Sequence, residues 1–280
     1  MLSSVREPVV AGSFYPGTSR ALTAQLSNLF KRKPEVPSRV LESSVGLVVP
    51  HAGYVYSGPT AAAGYLQLSS LGRPSRVVIL GANHTGMGSP ISLASEGVWR
   101  TPLGDARIDT DLAGRVADKG FKVAEVAFAR EHSVEVQLPF IQHVYGTDIS
   151  FVPICTMLPS LSRIVELGEA LAEVAKSEGI LVVASSDFTH YQPEEVASRI
   201  DHRAIGRILE LDIEGFYDML VNERLTICGG SAITALMAMG RKIGWQDVSL
   251  VSYSTSGDIT GDRNAVVGYA AISFGRKQSD

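Results

Sequence analysis

Short β-branched runs alternate with longer helical stretches along this sequence, and that alternation restricts the fold more than any other feature. Apolar runs are SSVGLVVP (43–50), SRVVILG (75–81), ISFVPIC (149–155), GILVVAS (179–185), SLVSYS (249–254) and AVVGYAAISF (265–274). Their nearly continuous hydrophobicity is typical of strands covered on both faces. Strands that alternate with helices form βαβ units around a mostly parallel sheet.

Helical periodicity predicts seven helices between these runs, at 19–30, 59–71, 109–120, 161–179, 193–210, 212–223 and 231–244. The one linker-like stretch, KRKPEVPSRV (31–40), lies too near the N-terminus to separate two domains. A chain of 280 residues, 45% of them hydrophobic, can fill one large core. We therefore predict an α/β fold with a single domain over 1–280 and a mostly parallel central sheet flanked by helices.

Charge and hydropathy exclude several classes of partner. The formal net charge is -4, which argues against a general affinity for nucleic acid or anionic lipid. No run approaches the roughly 18 to 20 apolar residues of a membrane span, and the N-terminus has no secretory signal pattern. We expect a cytoplasmic protein with no nucleic-acid or membrane partner, whose two cysteines are reduced thiols.

Histidines follow three of the predicted strands, at the point where each strand ends. His51 follows GLVVP, His84 follows VVILGAN, and His190 closes SSDFTH after LVVAS. The carboxyl ends of parallel strands meet at one edge of a sheet, where α/β proteins bind ligands. Each histidine alone could be an ordinary loop residue, but three together favour a metal site completed by a carboxylate or a thiolate.

Cys228 is the candidate thiolate, because a Gly-Gly pair and then a strongly helical run follow it. A helix N-terminus lowers the pKa of a thiol and favours its metal-binding form. The alternative is a small buried hydrophobe, the usual role of a free cysteine and the one we assign to Cys155.

A further polar cluster, REHSVEVQLP, spans 130–139. In a helix, His132 and Glu135 would share one face and could interact. The cluster lacks the HExxH spacing of zinc proteases. The sequence also has no GxGxxG, Walker A or GxSxG motif, so dinucleotide, P-loop and α/β-hydrolase functions lose their usual support.

Several motifs occur in one order over nearly the whole chain: REP (6–8), AGSFYP (11–16), PHAGY (50–54), GANH (81–84), EHSVE (131–135), SDFTHY (186–191) and TICG (226–229). In these motifs the sequence closely resembles the Memo family, named after an animal mediator of cell motility. That family has the fold of class III extradiol dioxygenases, which hold non-haem iron(II) with two histidines and a carboxylate.

The resemblance implies that His51, His84 and Cys228 hold one metal ion, because Memo-like proteins have cysteine in place of the carboxylate. Fe(II) is the expected ion, with copper or zinc as alternatives. The resemblance also gives His190 the acid/base role and places Asp187 in the same pocket.

Three further residues are predicted to contact the substrate: Phe14, which resembles the aromatic residue at the family's pocket mouth, His132 and Glu135. The substrate itself is an unknown small molecule or peptide. Prokaryotic members of the family are associated with an AMMECR-like protein and a radical SAM protein, so both are expected as partners.

These residues leave three functions open. One is a redox metalloenzyme related to the dioxygenases, with His190 as general acid or base and Asp187 orienting it or a bound water. Another is a hydrolase with Cys228 as nucleophile, His190 as base and Asp187 as orienting group. The last is a non-catalytic module that binds a peptide or partner in the pocket.

Overall fold

A computed structural model describes residues 5–176 and 178–276. Within these residues, the strands are β1 (Val5–Arg6), β2 (Val45–Val49), β3 (Arg76–Ala82), β4 (Ile91–Leu93), β5 (Val98–Thr101), β6 (Gly104–Ile108), β7 (Lys122–Val123), β8 (Ser150–Thr156), β9 (Ile180–Ser185), β10 (His190–Gln192), β11 (Asp247–Thr255) and β12 (Val266–Gly275). The helices are α1 (Ser19–Leu29), α2 (Tyr54–Ser69), α3 (Thr110–Ala117), α4 (Leu138–Tyr145), α5 (Leu161–Val174), α6 (Glu194–Leu209), α7 (Ile213–Val221), α8 (Gly230–Ile243) and α9 (Gly257–Thr260).

One sheet organises the domain, in the order β1-β5-β6-β8-β3-β9-β2-β12-β10. Its centre, from β6 through β8, β3 and β9 to β2, is parallel throughout. The prediction of a single α/β domain with a mostly parallel sheet is therefore confirmed. All six predicted apolar runs form strands, namely β2, β3, β8, β9, β11 and β12.

The last two predicted strands pair differently from the parallel centre. β11 and β12 are antiparallel to one another, and β12 is also antiparallel to β2. The chain between β11 and β12 is too short for a parallel crossover, which needs a dozen or more residues. Short strands without an apolar run, such as β1, β5 and β7, had no sequence signal.

The seven predicted helices form as α1, α2, α3, α5, α6, α7 and α8. α2 begins at Tyr54 rather than at residue 59, and the Tyr54 N–H donates to the Phe14 carbonyl at 2.8 Å. α5 ends at Val174, short of the predicted 179, and residue 177 lies outside the described residues. The 130–139 cluster is not one helix: a 3-10 turn (Glu135–Gln137) leads into α4.

Helices cover both faces of the sheet. In β2, a Cβ at Gly46 would lie 2.8 Å from the Trp245 ring and 2.9 Å from Leu236 in α8, while the next residue, Leu47, faces Gly64 in α2. Successive residues of a strand point to opposite faces, so α8 and α2 lie on opposite sides. α8 is buried along most of its length, and its N-terminus begins beside the carboxyl edge of the parallel strands. No helix among the described residues has the length and apolar character needed to cross a membrane.

Candidate metal centre

Three neighbouring strands end side by side at the carboxyl edge of the sheet. β9 pairs in parallel with β3 on one side and with β2 on the other. His84 lies two residues beyond β3, Asp187 two beyond β9, and His51 two beyond β2. The parallel register therefore brings these three side chains to one place.

Cys228 joins this group from the opposite direction, two residues before α8. Its Sγ lies 3.1 Å from His51 Nε2, and one donor atom from each of His51, His84 and Cys228 lies within 4.8 Å of the other two. His190 is not in this set. The structure therefore groups the three residues that the family resemblance implies, and not the three histidines that strand ends alone would have favoured.

Glycine at position 229 allows Cys228 to approach the strands so closely. A Cβ at Gly229 would lie 2.4 Å from the Ser185 carbonyl oxygen at the end of β9. The Gly229 N–H also donates to Ser186 Oγ at 2.9 Å. The Gly-Gly pair thus serves close packing of the α8 N-terminus against β9.

The tautomer of His51 is fixed by a buried hydroxyl. Ser185 Oγ donates its proton to the Ser133 carbonyl at 2.7 Å and accepts an N–H from Gln137 at 2.7 Å. The 3.1 Å contact between Ser185 Oγ and His51 Nδ1 must therefore use a proton on Nδ1. Burial lowers the pKa of His51 to about 3, so the ring is neutral and Nε2 carries a free lone pair.

His84 is oriented by a buried carboxylate. Its Nδ1 lies 2.9 Å from Glu131 Oε1, and the same carboxylate accepts the backbone N–H groups of His84, His132 and Ser133 at 2.7 to 2.9 Å. Burial by itself would raise the pKa of Glu131, but His84 and the backbone N–H groups outweigh it and lower the pKa to about 2. Burial lowers the pKa of His84, but the hydrogen bond and charge of Glu131 outweigh burial and raise it. The carboxylate therefore holds Nδ1–H, and Nε2 is the nitrogen that faces a metal ion once its proton is released, as in many metal sites.

The Cys228 thiol has a higher pKa than the sequence predicted. Burial, followed by the charge of Asp187, raises it above its ordinary value, although the Asp187 N–H donates to Sγ at 3.2 Å. The expectation that the helix N-terminus lowers this pKa is wrong, because the cost of burying a thiolate exceeds the effect of the helix dipole. Without a metal, Cys228 is a neutral thiol at neutral pH.

Asp187 and His190 lie beside the donor set but are not hydrogen-bonded as a pair. Asp187 Oδ1 accepts the N–H groups of His51 and Ala52 at 2.8 and 3.2 Å, and burial raises its pKa. His190 Nδ1 donates to the Thr226 carbonyl at 2.8 Å, so Nε2 is the unprotonated nitrogen of the neutral ring. Thr226, rather than Asp187, therefore orients His190.

His132 and Phe14 extend the site towards the N-terminal segment. The His132 ring stacks on His84 with 4.7 Å between centroids, and Phe14 packs edge-on against it at 4.9 Å. Burial lowers the pKa of His132 to about 4, so this ring is also neutral. Neither residue lines the pocket beside the donors, so their predicted contact with a substrate stays a prediction.

Glu135 has a different environment from the one predicted. Its side chain is fully buried, and its carboxylate binds Arg6, the N–H groups of Val9 and Val10, and the Tyr15 hydroxyl, all at 2.7 to 3.1 Å. These partners occupy the carboxylate, so it anchors the N-terminal segment and is not open to a substrate. His132 is not among these partners, and it lies outside the 3-10 turn that begins at Glu135, so the two do not share the face of one helix.

Sequence reasoning missed Glu131, Ser185, Gln137 and Thr226 as supporting residues. Glu131 and Gln137 lie within the polar cluster 130–139, and Ser185 is the last residue of an apolar strand, so sequence position gave only a weak indication of their roles. Hydrogen bonds between residues 36 to 52 positions apart along the chain decide their roles.

An open pocket of about 300 Å³ adjoins the donor set, and both His84 and Cys228 line it. A larger cavity of about 780 Å³ includes Val45 in its wall. Val45 begins β2, whereas His51 follows its end, so the larger cavity lies at the other end of the sheet. The smaller pocket is the one beside the chemistry.

The sequence matches the family model described as Memo-like protein over residues 6–273. The chain belongs to the Memo family. A "MEMO1 family protein" of Desulfurococcus amylolyticus is 44% identical over 96% of this chain and 98% of its own length. Relatives with the same name in Pyrobaculum arsenaticum and Nitrosopumilus maritimus are 42% and 40% identical, each over at least 96% of this chain and 99% of their own.

A solved structure shares the fold of this Memo-family chain. It is an uncharacterised Escherichia coli protein that aligns with a TM-score of 0.57 over 83% of this chain and 100% of its own. Its sequence is only 14% identical, so the likeness concerns the fold alone.

Proposed function

We propose that this Memo-family protein is a metal-dependent redox enzyme that binds one ion, Fe(II) or copper, through His51 Nε2, His84 Nε2 and Cys228 Sγ. One observation carries the proposal: three donor atoms of metal-binding types converge within 4.8 Å beside an open pocket. Each imidazole has its other nitrogen held by a buried partner, which is the support that metal-binding histidines usually have.

The donor set suits a redox metal. Two imidazoles and a thiolate are ligands for iron, copper and zinc, and three protein ligands leave positions open for other molecules. The bound ion would supply electron transfer and Lewis acidity at those open positions. The raised pKa of Cys228 is consistent with this role, because a metal ion releases the proton that burial otherwise retains.

The neighbouring side chains would move protons and position the substrate. Thr226 holds the proton on Nδ1 of His190, so in the neutral ring Nε2 can act as a base. The neutral ring of His132 can donate or accept one hydrogen bond at the same edge. Asp187 holds the His51 backbone in place through Oδ1.

The hydrolase alternative has less support. A cysteine nucleophile requires a depressed pKa or an adjacent base, whereas the Cys228 thiol is buried with a raised pKa and its nearest base is His51. The Asp187 carboxylate also makes no hydrogen bond to His190 that would complete a triad.

The test is metal stoichiometry on protein purified without oxygen, followed by Co(II) titration of the metal-free form. We expect about one ion per chain and a sulfur-to-cobalt charge-transfer band that disappears in Cys228→Ser. His51→Ala and His84→Ala should lower the affinity at least tenfold. Oxygen uptake with Fe(II)-loaded protein and candidate substrates then tests the redox reaction.

His143→Ala is the matched control, because His143 packs against Phe30 away from the donors. It should keep full metal affinity and the cobalt band. His190→Ala should also keep the metal, and should lose turnover by a factor on the order of 100 or more. A protein that binds no metal, or one whose Cys228→Ser variant keeps the charge-transfer band, would overturn the proposal.

A further inference from the structure

The pocket beside the donor set has an unusual wall for a site surrounded by histidines. Its remaining lining is mostly apolar and includes Met157, Leu158, Leu220, Leu225 and Ile227. Among residues 5–176 and 178–276, no Lys, Arg, Asp or Glu side chain lines it. His51, His132 and His190 are also absent from this wall, so the pocket opens on the His84 and Cys228 side of the donors.

The pocket has a floor and a mouth of different exposure. Leu220 and Ile227 are each 5% exposed and form the floor, while Leu158 at the mouth is 51% exposed. Covering a large exposed apolar side chain with an apolar group removes its surface from water, which lowers the free energy of the complex. A charged group would lose its hydration there without finding an opposite charge.

We propose that this pocket is the binding site for an uncharged, apolar portion of the substrate, such as a short alkyl chain or a small ring. The inference rests on the proposed function, because the wall that contains His84 and Cys228 would place the other end of the substrate at the metal. The substrate class is therefore a small molecule with one metal-binding polar end and one neutral apolar end.

The volume limits the size of that apolar portion. About 300 Å³ is at the lower end of the range for small-molecule sites, roughly 300 to 1,000 Å³. A peptide backbone would bring several amide groups that need hydrogen-bond partners. The polar side chains of the wall are Asn83, Thr156 and Ser231, and the first two already hydrogen-bond within the chain, so the wall offers few partners to a peptide.

The experiment uses straight-chain alkyl hydroxamates, from acetohydroxamate to octanohydroxamate, as probes on Co(II)-loaded protein. The hydroxamate group binds the metal, and the chain reports on the pocket. We expect the dissociation constant to fall about fourfold for each added methylene. The gain should cease once the chain fills the pocket. The monohydroxamate of adipic acid, with a terminal carboxylate, should bind at least tenfold more weakly than hexanohydroxamate.

Leu158→Arg should remove most of the dependence of hydroxamate affinity on the length of the alkyl chain. The matched control is Val123→Arg, because Val123 is an exposed apolar residue of similar exposure, 48%, that does not line the pocket. Equal affinity for all chain lengths, or tighter binding of the carboxylate probe, would overturn the inference while metal binding still stood.

A second measurement keeps the pocket testable without a metal. In metal-free protein, 1-hexanol should shift the methyl resonances of Leu220 and Leu225 and leave those of Leu167, a buried residue outside the pocket, unchanged. If Co(II) does not bind, the proposed function fails, and this arm alone decides the pocket. Methyl shifts absent from Leu220 and Leu225 would refute the apolar site.

Discussion

Replacing Glu131 by glutamine tests both the stability that its buried carboxylate gives to the fold and the support that it gives to the metal site. The buried carboxylate accepts His84 Nδ1–H and three backbone N–H groups, and its pKa lies near 2 instead of the ordinary 4.5. At about 1.4 kcal/mol for each tenfold change in proton affinity, this difference corresponds to about 3 kcal/mol of folding free energy.

The sign of the pH dependence follows from the depressed pKa. Above about pH 4.5 the carboxylate is ionised in both the folded and unfolded chains, so the full stabilisation is present. Between about pH 4.5 and 2 the unfolded chain binds a proton and the folded chain does not, so the stabilisation is lost as the pH falls. Glu131→Gln cannot show this loss.

The assay is urea unfolding of metal-free wild type and Glu131→Gln between pH 2.5 and 7. The difference in unfolding free energy should be greatest between about pH 4.5 and 6.5 and should shrink by about 3 kcal/mol towards pH 2. It should also decline at higher pH as His84, whose pKa Glu131 raises, loses its proton. Co(II) affinity of the variant should also fall about 10- to 100-fold, because His84 loses its orienting partner.

Glu135→Gln is the control, since Glu135 is equally buried but holds the N-terminal segment instead of a metal ligand. It should destabilise the fold and leave the intrinsic Co(II) affinity of the folded protein within about threefold. A stability difference between wild type and Glu131→Gln that is independent of pH would refute the charge argument. Unchanged Co(II) affinity in that variant would refute the positioning role.

Three further predictions concern the same site. Ser185→Ala should lower unfolding free energy by about 1 to 3 kcal/mol in urea titrations, because the Gln137 N–H and the Ser133 carbonyl lose a buried partner; its Co(II) affinity should fall at least tenfold. Gly229→Ala should weaken Co(II) binding, because its Cβ would lie 2.4 Å from the Ser185 carbonyl oxygen, whereas Gly206→Ala, with open space around it, should not. Metal-free Cys228 should react with iodoacetamide at pH 8 more slowly than free cysteine, since its raised pKa keeps the thiol protonated. Co(II) affinity should rise with pH as that proton becomes easier to release. Alkylation at the rate of free cysteine would contradict the raised pKa.

The long strands and helices of this fold could be predicted from the hydrophobic periodicity of the sequence. The six apolar runs became strands and the seven helical stretches became helices, because each carries its own hydrophobic pattern. Short strands such as β5 and β7 were missed, since they are stabilised by neighbours and not by local pattern. The antiparallel direction of β11 and β12 was also missed, because pairing direction depends on the connection and not on the strand sequence.

Tertiary packing determines which candidate residues are metal ligands and which stabilise the fold. Their positions after strand ends made His51, His84 and His190 equally good candidates for metal ligands. Only the packing of the α8 N-terminus places Cys228 Sγ 3.1 Å from His51 Nε2. Glu135 appeared to be a site residue by its closeness to His132 in sequence, yet its carboxylate faces Arg6 and Tyr15.

The sequence by itself determined the α/β architecture, the edge of the sheet that carries the site, and the family. These depend on periodicity and on residues that follow strands directly, which are properties of contiguous segments. Only the tertiary structure decided the protonation of Cys228 and the tautomers of His51, His84 and His190. Burial and hydrogen bonds set those properties, and their partners come from distant parts of the chain, such as Ser185 for His51 and Thr226 for His190.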